Sequence, residues 1–135
     1  MTYPVRQILG IGADAADRLR KAKIRTTDAL LEAAKGPKER KQLSEQTGFD
    51  ERRILGWANA ADRMRIKGIG ADYSELLQAS GVDTVKELRY RSPAKLARRM
   101  ADVNAKRKLA RVLPSDRAVE RWIDDAKRLT LKIHY

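Results

Sequence analysis

The chain has 135 residues, 42% of them apolar and 36% charged, proportions that suit one compact domain around a buried core. It contains no cysteine, which excludes a disulfide framework, a zinc finger and a thiol nucleophile. Lys and Arg outnumber Asp and Glu by 30 to 18, a formal net charge of +12, and that excess favours a polyanionic partner.

The opening Met1-Thr2-Tyr3-Pro4 lacks the apolar run of a signal peptide, and no eighteen-residue apolar stretch follows. A cytoplasmic protein without a membrane partner is therefore expected. Tyr3 to Leu9 is too short for a full helix. The spacing then predicts a helix over Ala13 to Ala22 with Ala16 and Leu19 inward. Thr26 should cap a short helix reaching Ala34, Gly36-Pro37 starts another with proline at its first position, and Gly48 closes it. Asp50 is the next expected cap, with Phe49 placed to staple onto Ile54. The helix it opens carries an apolar stripe of Ile54, Trp57, Ala58, Ala61 and Met64. After Gly70 the pattern predicts a helix over Ala71 to Ser80 with Tyr73, Leu76 and Leu77 buried. Thr84-Val85-Lys86-Glu87 fits a capping box, and Ser92-Pro93 begins a helix with Leu96, Met100 and Val103 on one side. Ser115 should cap the last helix, whose stripe is Val119, Trp122, Ile123, Ala126 and Leu129. Thr130 to Tyr135 alternates polar and apolar residues, too short a run to make a sheet. The fold class is all-α.

Two stretches repeat: Ile8-Leu9-Gly10-Ile11-Gly12-Ala13-Asp14 and Ile66-Lys67-Gly68-Ile69-Gly70-Ala71-Asp72. A shift of 58 positions also aligns Leu19 with Leu77, Ile24 with Val82, Thr26 with Thr84 and Leu30 with Leu88. An apolar residue between two glycines, followed at once by a helix, reads as a tight turn that presents free helix N–H groups, a corner able to hold a phosphate. This resembles the helix-hairpin-helix motif, in which the Gly-apolar-Gly turn donates backbone hydrogen bonds to nucleic-acid phosphates. Taken whole, the chain also resembles a bacterial helix-hairpin-helix family known as domain of unknown function 4332. That likeness is carried by Gly56-Trp57-Ala58-Asn59-Ala60-Ala61-Asp62 and by Leu113-Pro114-Ser115 before Trp122-Ile123. It implies two fused helix-hairpin-helix repeats, residues 1–65 and 66–135, packed as one compact domain over 1–135; residues 1–65 are not expected to fold alone.

The residues expected to bind nucleic acid fall in three groups. The first turn offers Gly10, Ile11, Gly12 and Ala13 with Arg18 and Lys21 behind it, and the second offers Lys67, Gly68, Ile69, Gly70 and Ala71. Between Lys86 and Arg111 lie ten basic residues against Glu87 and Asp102, with Arg98, Arg99, Arg107 and Lys108 as the expected basic helical face. Like charges three and four residues apart on a helix cost about 0.2–0.5 kcal/mol per pair, which a polyanion would offset. Asp14 and Asp72 suit a helix dipole and oppose a phosphate at the same corner. The single histidine, His134, and the carboxylate spacings form no metal or acid–base pattern, so neither an enzyme nor a cofactor is expected. The expected function is sequence-nonspecific binding of double-stranded nucleic acid, with DNA and a place on the nucleoid as the first choice. The alternative is a protein-interaction adaptor whose basic face docks an acidic protein.

Overall fold

The computed structural model describes residues 2–135. Among them a 3-10 turn, Val5–Gln7, precedes eight α-helices: α1 (Ala13–Lys21), α2 (Thr27–Ala33), α3 (Pro37–Thr47), α4 (Glu51–Arg63), α5 (Ala71–Ala79), α6 (Val85–Leu88), α7 (Pro93–Arg107) and α8 (Asp116–Arg128). All of these helices but α1 and α5 start where the sequence supplies an acceptor or a proline. Thr26 Oγ1 accepts from the Ala29 N–H at 3.2 Å, Asp50 Oδ1 from Arg52 at 2.8 Å, and Ser115 Oγ from Ala118 at 3.1 Å. Pro37 and Pro93 open α3 and α7, but the Ser92 side chain makes no capping bond. At α6 the Glu87 carboxylate accepts from both the N–H and the hydroxyl of Thr84, at 2.9 and 3.0 Å. Two expectations need correction: in α1 it is Ala15 that is buried and Ala16 only half so, and Tyr73 is half-buried. The tail 130–135 forms no strand, in line with its short alternating run.

The repeat is longer than the 58-residue shift suggests. The Ile24 N–H donates to the Leu19 carbonyl at 2.8 Å and Val82 to Leu77 at 2.9 Å, while Lys23 and Gly81 both take positive φ, 66° and 97°. Beyond that, α3 and α4 recur as α7 and α8, each pair led by a helix with proline at its start and followed by one carrying a buried tryptophan, Trp57 or Trp122. Two apolar clusters result. One gathers Val5 through Met64, the other Ile66 through Ala126. Ile54, Trp57 and Ala61 all lie in the first, so the α4 stripe does not serve both sides.

What joins the halves is polar. In the first half the Val5 N–H donates to the Arg25 carbonyl at 3.0 Å and Thr27 donates to Tyr3 at 2.8 Å. In the second half α4 arrives as a continuous helix with its backbone already paired, and side chains take over. Arg63 Nη1 donates to the Asp83 carbonyl at 2.8 Å, and Asp62 Oδ2 accepts from the Val85 N–H at 2.8 Å. Asp62 and Arg63 are both 3% exposed. Arg63 Nε also reaches Ser74 Oγ at 3.0 Å, and Arg65 Nη1 reaches Asp62 Oδ1 at 2.8 Å. Burial pushes the Arg63 guanidinium pKa down, opposed by the carboxylates of Glu75, Asp83 and Asp62. The tail then returns to the first half: Leu131 packs on the second cluster and Ile133 on the first. The His134 N–H donates to Lys35 O at 2.7 Å, and buried Arg40 donates to His134 O at 2.8 Å.

Two outcomes are expected from this joint. Asp62→Ala leaves Arg65 and the Val85 N–H without their buried acceptor and should cost about 3 kcal/mol or more in a urea melt, the scale of a broken buried pair. The intact chain should melt in one transition, and removal of residues 132–135 should lower its midpoint and separate the halves into two transitions by calorimetry. A truncated chain that melts like its parent would show that the tail does not couple them.

Candidate nucleic-acid interface

The two Gly-Ile-Gly turns are the same object built twice. Gly10 and Gly68 both have φ 93°, and the Ile11 and Ile69 N–H groups donate to Ile8 and Ile66 at 3.1 Å each. Ile11 and Ile69 are buried, which anchors each turn from below. A Cβ on Gly10 would stand 3.7 Å from Trp57 Nε1, and one on Gly68 would stand 3.3 Å from Trp122 Nε1. The first glycine of each turn is thus fixed by backbone conformation, and at Gly68 also by the close tryptophan beneath it.

The second glycines are different, since only the first of each pair has a positive φ. Gly12 and Gly70 have φ −81° and −92°, extended backbone open to any residue, and a Cβ on either meets nothing within 4 Å. They occupy the N-cap positions of α1 and α5, with no side chain to cap the first N–H groups. The first intrahelical bonds run from Ala16 to Gly12 and from Ser74 to Gly70, at 2.9 Å each, so the N–H groups of the three residues before each donor have no partner within the helix. Nothing inside the chain requires glycine at these two positions, and no capping side chain takes up those N–H groups.

The charged neighbours divide the turns. Arg18 Nε lies 3.4 Å from Asp14, and Lys21 Nζ 3.4 Å from Asp17, which Arg20 also holds. Arg18 in addition stacks over the Phe49 ring at 5.3 Å. The Arg20 hydrogen bond, then Lys21, keep the Asp17 carboxyl below the usual carboxylate range. Arg18 and Lys21 are therefore engaged with carboxylates in surface pairs, which contribute little and exchange readily. Of the basic run, Arg89 is tied up with the carbonyls of Ala126 and Leu129, and Arg91 with Ser80 O. Arg98, Arg99, Lys106, Arg107, Lys108 and Arg111 are exposed and form no ion pair among the described residues.

Grooves connect some of these residues. One is lined by Gly10, Ile11 and Gly12 on one side and by Ala71, Asp72 and Lys108 on the other, bringing the first turn, the start of α5 and the end of α7 together. Another joins Gly68, Gly70 and Ala71 to Arg111 and Val112, and a third joins Lys67 and Gly68 to Arg121. Arg98, Arg99 and Arg107 line none of the three. The grooves also take in Arg111 and Arg121, which are not among the residues the sequence pattern points to. Lys23 is set against Gly81 by the 58-residue shift. It holds φ 66° where the other half uses glycine, and Lys108 holds φ 52° at the end of α7 where Gly48 closes α3 at φ 82°. A left-handed conformation costs an L-residue about 1–2 kcal/mol, so two exposed lysines stand where glycine is cheaper.

The family described as Domain of unknown function (DUF4332) matches residues 9–129, nearly the whole chain, and the chain belongs to that family. No curated protein and no solved structure matches it.

Stability measurements on four glycine and two lysine variants should separate these roles. Gly10→Ala and Gly68→Ala should each cost about 1–2 kcal/mol or more, with Gly68 worse because its indole is nearer. Gly12→Ala and Gly70→Ala should cost at most about 1 kcal/mol, the loss of a favourable N-cap. Lys23→Gly and Lys108→Gly should raise stability by about 0.5–1 kcal/mol as the left-handed strain is relieved. A loss of stability on either lysine change would show that the lysine packs or pairs in the fold.

Proposed function

We propose that this member of the DUF4332 family is a tandem helix-hairpin-helix module that binds double-stranded DNA without reading sequence, by backbone contacts to phosphates at the turns and by its unpaired basic residues. The observation that carries this reading is the pair of uncapped helix starts at Gly12 and Gly70, glycines for which the fold has no steric need. Helix N-termini with exposed N–H groups favour anions through the macrodipole and direct hydrogen bonds. The strained Lys108, which lines the groove of the first turn, adds charge at the position where a phosphate would lie.

A duplex fits better than a single strand. Trp57, Trp122 and Phe49 are buried, and of the aromatic side chains only Tyr90 and Tyr135 are exposed beyond two-thirds, too few for a stacking platform. Phosphate contacts position a protein and carry little base information, so weak sequence preference follows. The first turn is the stronger candidate. Its Asp14 is partly neutralised by Arg18 and its groove holds Lys108 against Asp72 and Glu75, whereas the Asp72 that follows the second turn has no ion pair among the described residues.

In gel shifts, duplex DNA should bind on the order of micromolar or weaker near physiological salt, with affinity falling steeply as salt rises. Gly12→Ala should weaken binding with its fold intact, and Lys108→Gly should weaken binding while stabilising the fold. Asp72→Asn should tighten binding by up to about 1 kcal/mol at low salt. Replacing Arg98, Arg99, Arg107 and Lys108 with Gln should lower the salt slope by about 0.9 for each phosphate no longer neutralised. If the Gln variant loses binding while the Gly12 and Asp72 variants match the parent, the turns are structural. If the parent gives no shift at low salt, the adaptor reading replaces this one.

A further inference from the structure

The joints inside the two halves differ in one respect. Between α3 and α4 the chain needs only residues 48–50, whereas between α7 and α8 it spends residues 108–115. The longer loop is not slack. Asn104 brackets Ala110 with two bonds, donating to its carbonyl at 3.0 Å and accepting from its N–H at 2.9 Å. The Tyr73 hydroxyl donates to the Val112 carbonyl at 2.8 Å, and Pro114 is buried. Tyr73 itself leans on Trp122, the tryptophan under the second turn, with ring centroids 5.3 Å apart.

This fixed loop holds two aliphatic side chains out in solvent, Val112 at 70% and Leu113 at 44% exposure. They border a groove with Lys67, Gly68 and Arg121, and Arg111 precedes them in the chain. The one carboxylate in that groove, Asp125, is 3.6 Å from Arg128. The surroundings are therefore cationic on several sides. Two aliphatic side chains fall far short of the roughly 1,000 Å² that a stable protein interface needs. Exposed apolar side chains beside cations are what minor-groove proteins wedge between base steps.

We propose that the loop 109–114 is a wedge: Val112 and Leu113 enter the minor groove of a DNA duplex held at the second turn, pry open a single base step and bend the helix, while Lys67, Arg111 and Arg121 hold the flanking phosphates. The proposal rests on the duplex-binding reading and adds a deformation to it. Unstacking is offset by the contacts that a bent duplex allows, so the wedge governs shape more than affinity.

The test uses the full chain and a short duplex labelled with donor and acceptor dyes at its ends, with gel shift run in parallel. The parent should raise energy transfer on binding, corresponding to a bend of roughly 20–90°. Val112→Ser combined with Leu113→Ser, both exposed positions, should keep the thermal midpoint and the salt slope, bind within about tenfold of the parent and abolish the transfer change. A duplex with a central mismatch, already weakened in its stacking, should bind the parent more tightly than a matched duplex and show no such preference with the variant. A gel shift without any change in transfer overturns the wedge and leaves duplex binding standing. A double variant that bends DNA as the parent does also overturns it, and assigns the aliphatic pair to a protein contact. Absence of any gel shift with the parent overturns both readings together.

Discussion

The structure depends on α4 leading, through only residues 64–66, into the second Gly-Ile-Gly turn. Because its last residues are helical, their backbone groups are committed within the helix, and the second half cannot be tied on through main-chain pairing as the first half ties its own start. Asp62 and Arg63 replace that pairing with side chains, each nearly fully buried and each bonded to main-chain groups around α6. A buried carboxylate and guanidinium are tolerated only when every donor and acceptor is met, which makes this joint directional and specific. Apolar packing alone, spread over two separate clusters, would leave the halves free to slide.

That register matters for the turns. With α4 rigid, the second turn starts three residues after the helix ends, and the groove between the first turn and the start of α5 has a fixed width and composition. Each turn also sits on a tryptophan from the last helix of its own half, so the turn geometry is copied faithfully even where the surrounding sequence has diverged. Divergence shows in what surrounds the copy. The first turn has cations paired with carboxylates along α1, while the second has a longer loop and two exposed aliphatics beside it.

Much of the fold is legible in the sequence, because caps, prolines and apolar stripes are local signals: Thr26, Asp50, Ser115, Pro37 and Pro93 all act where the pattern places them. The turns are legible from their repetition. What escapes depends on distances along the chain that pattern cannot span. Asp62 and Arg63 look like surface charges at the end of a helix, and only the arrival of residues 83–85 makes them buried. Arg89 and Arg91 sit inside a basic run, yet their guanidinium groups meet carbonyls at the ends of α8 and α5, so a charge count overstates the free face. The second glycines lack the torsion that belongs to the first, since sequence shows where a turn lies but not which glycine carries the positive φ. The repeat of α3–α4 as α7–α8 is hidden by changes of length, since Pro93 follows Pro37 by 56 residues and the longer α7 and the longer loop after it bring Trp122 to 65 residues after Trp57.

Duplication supplies something a single turn lacks. One uncapped helix start facing a phosphate is a weak contact, worth on the order of 1 kcal/mol, too little by itself to hold a duplex against physiological salt. Two such corners on one rigid body bind a polyanion with a high effective concentration for the second contact, provided that their separation is fixed. The polar joint at Asp62 and Arg63 and the tail that packs Leu131 and Ile133 on different cores fix it. Under the proposed function, the buried charged pair therefore acts on binding without touching the ligand: loosening it lowers the avidity of the two turns while leaving each turn intact. Stability of the joint and affinity for a duplex should then fall together in variants of Asp62 or the tail, whereas variants of Lys108 move them in opposite directions.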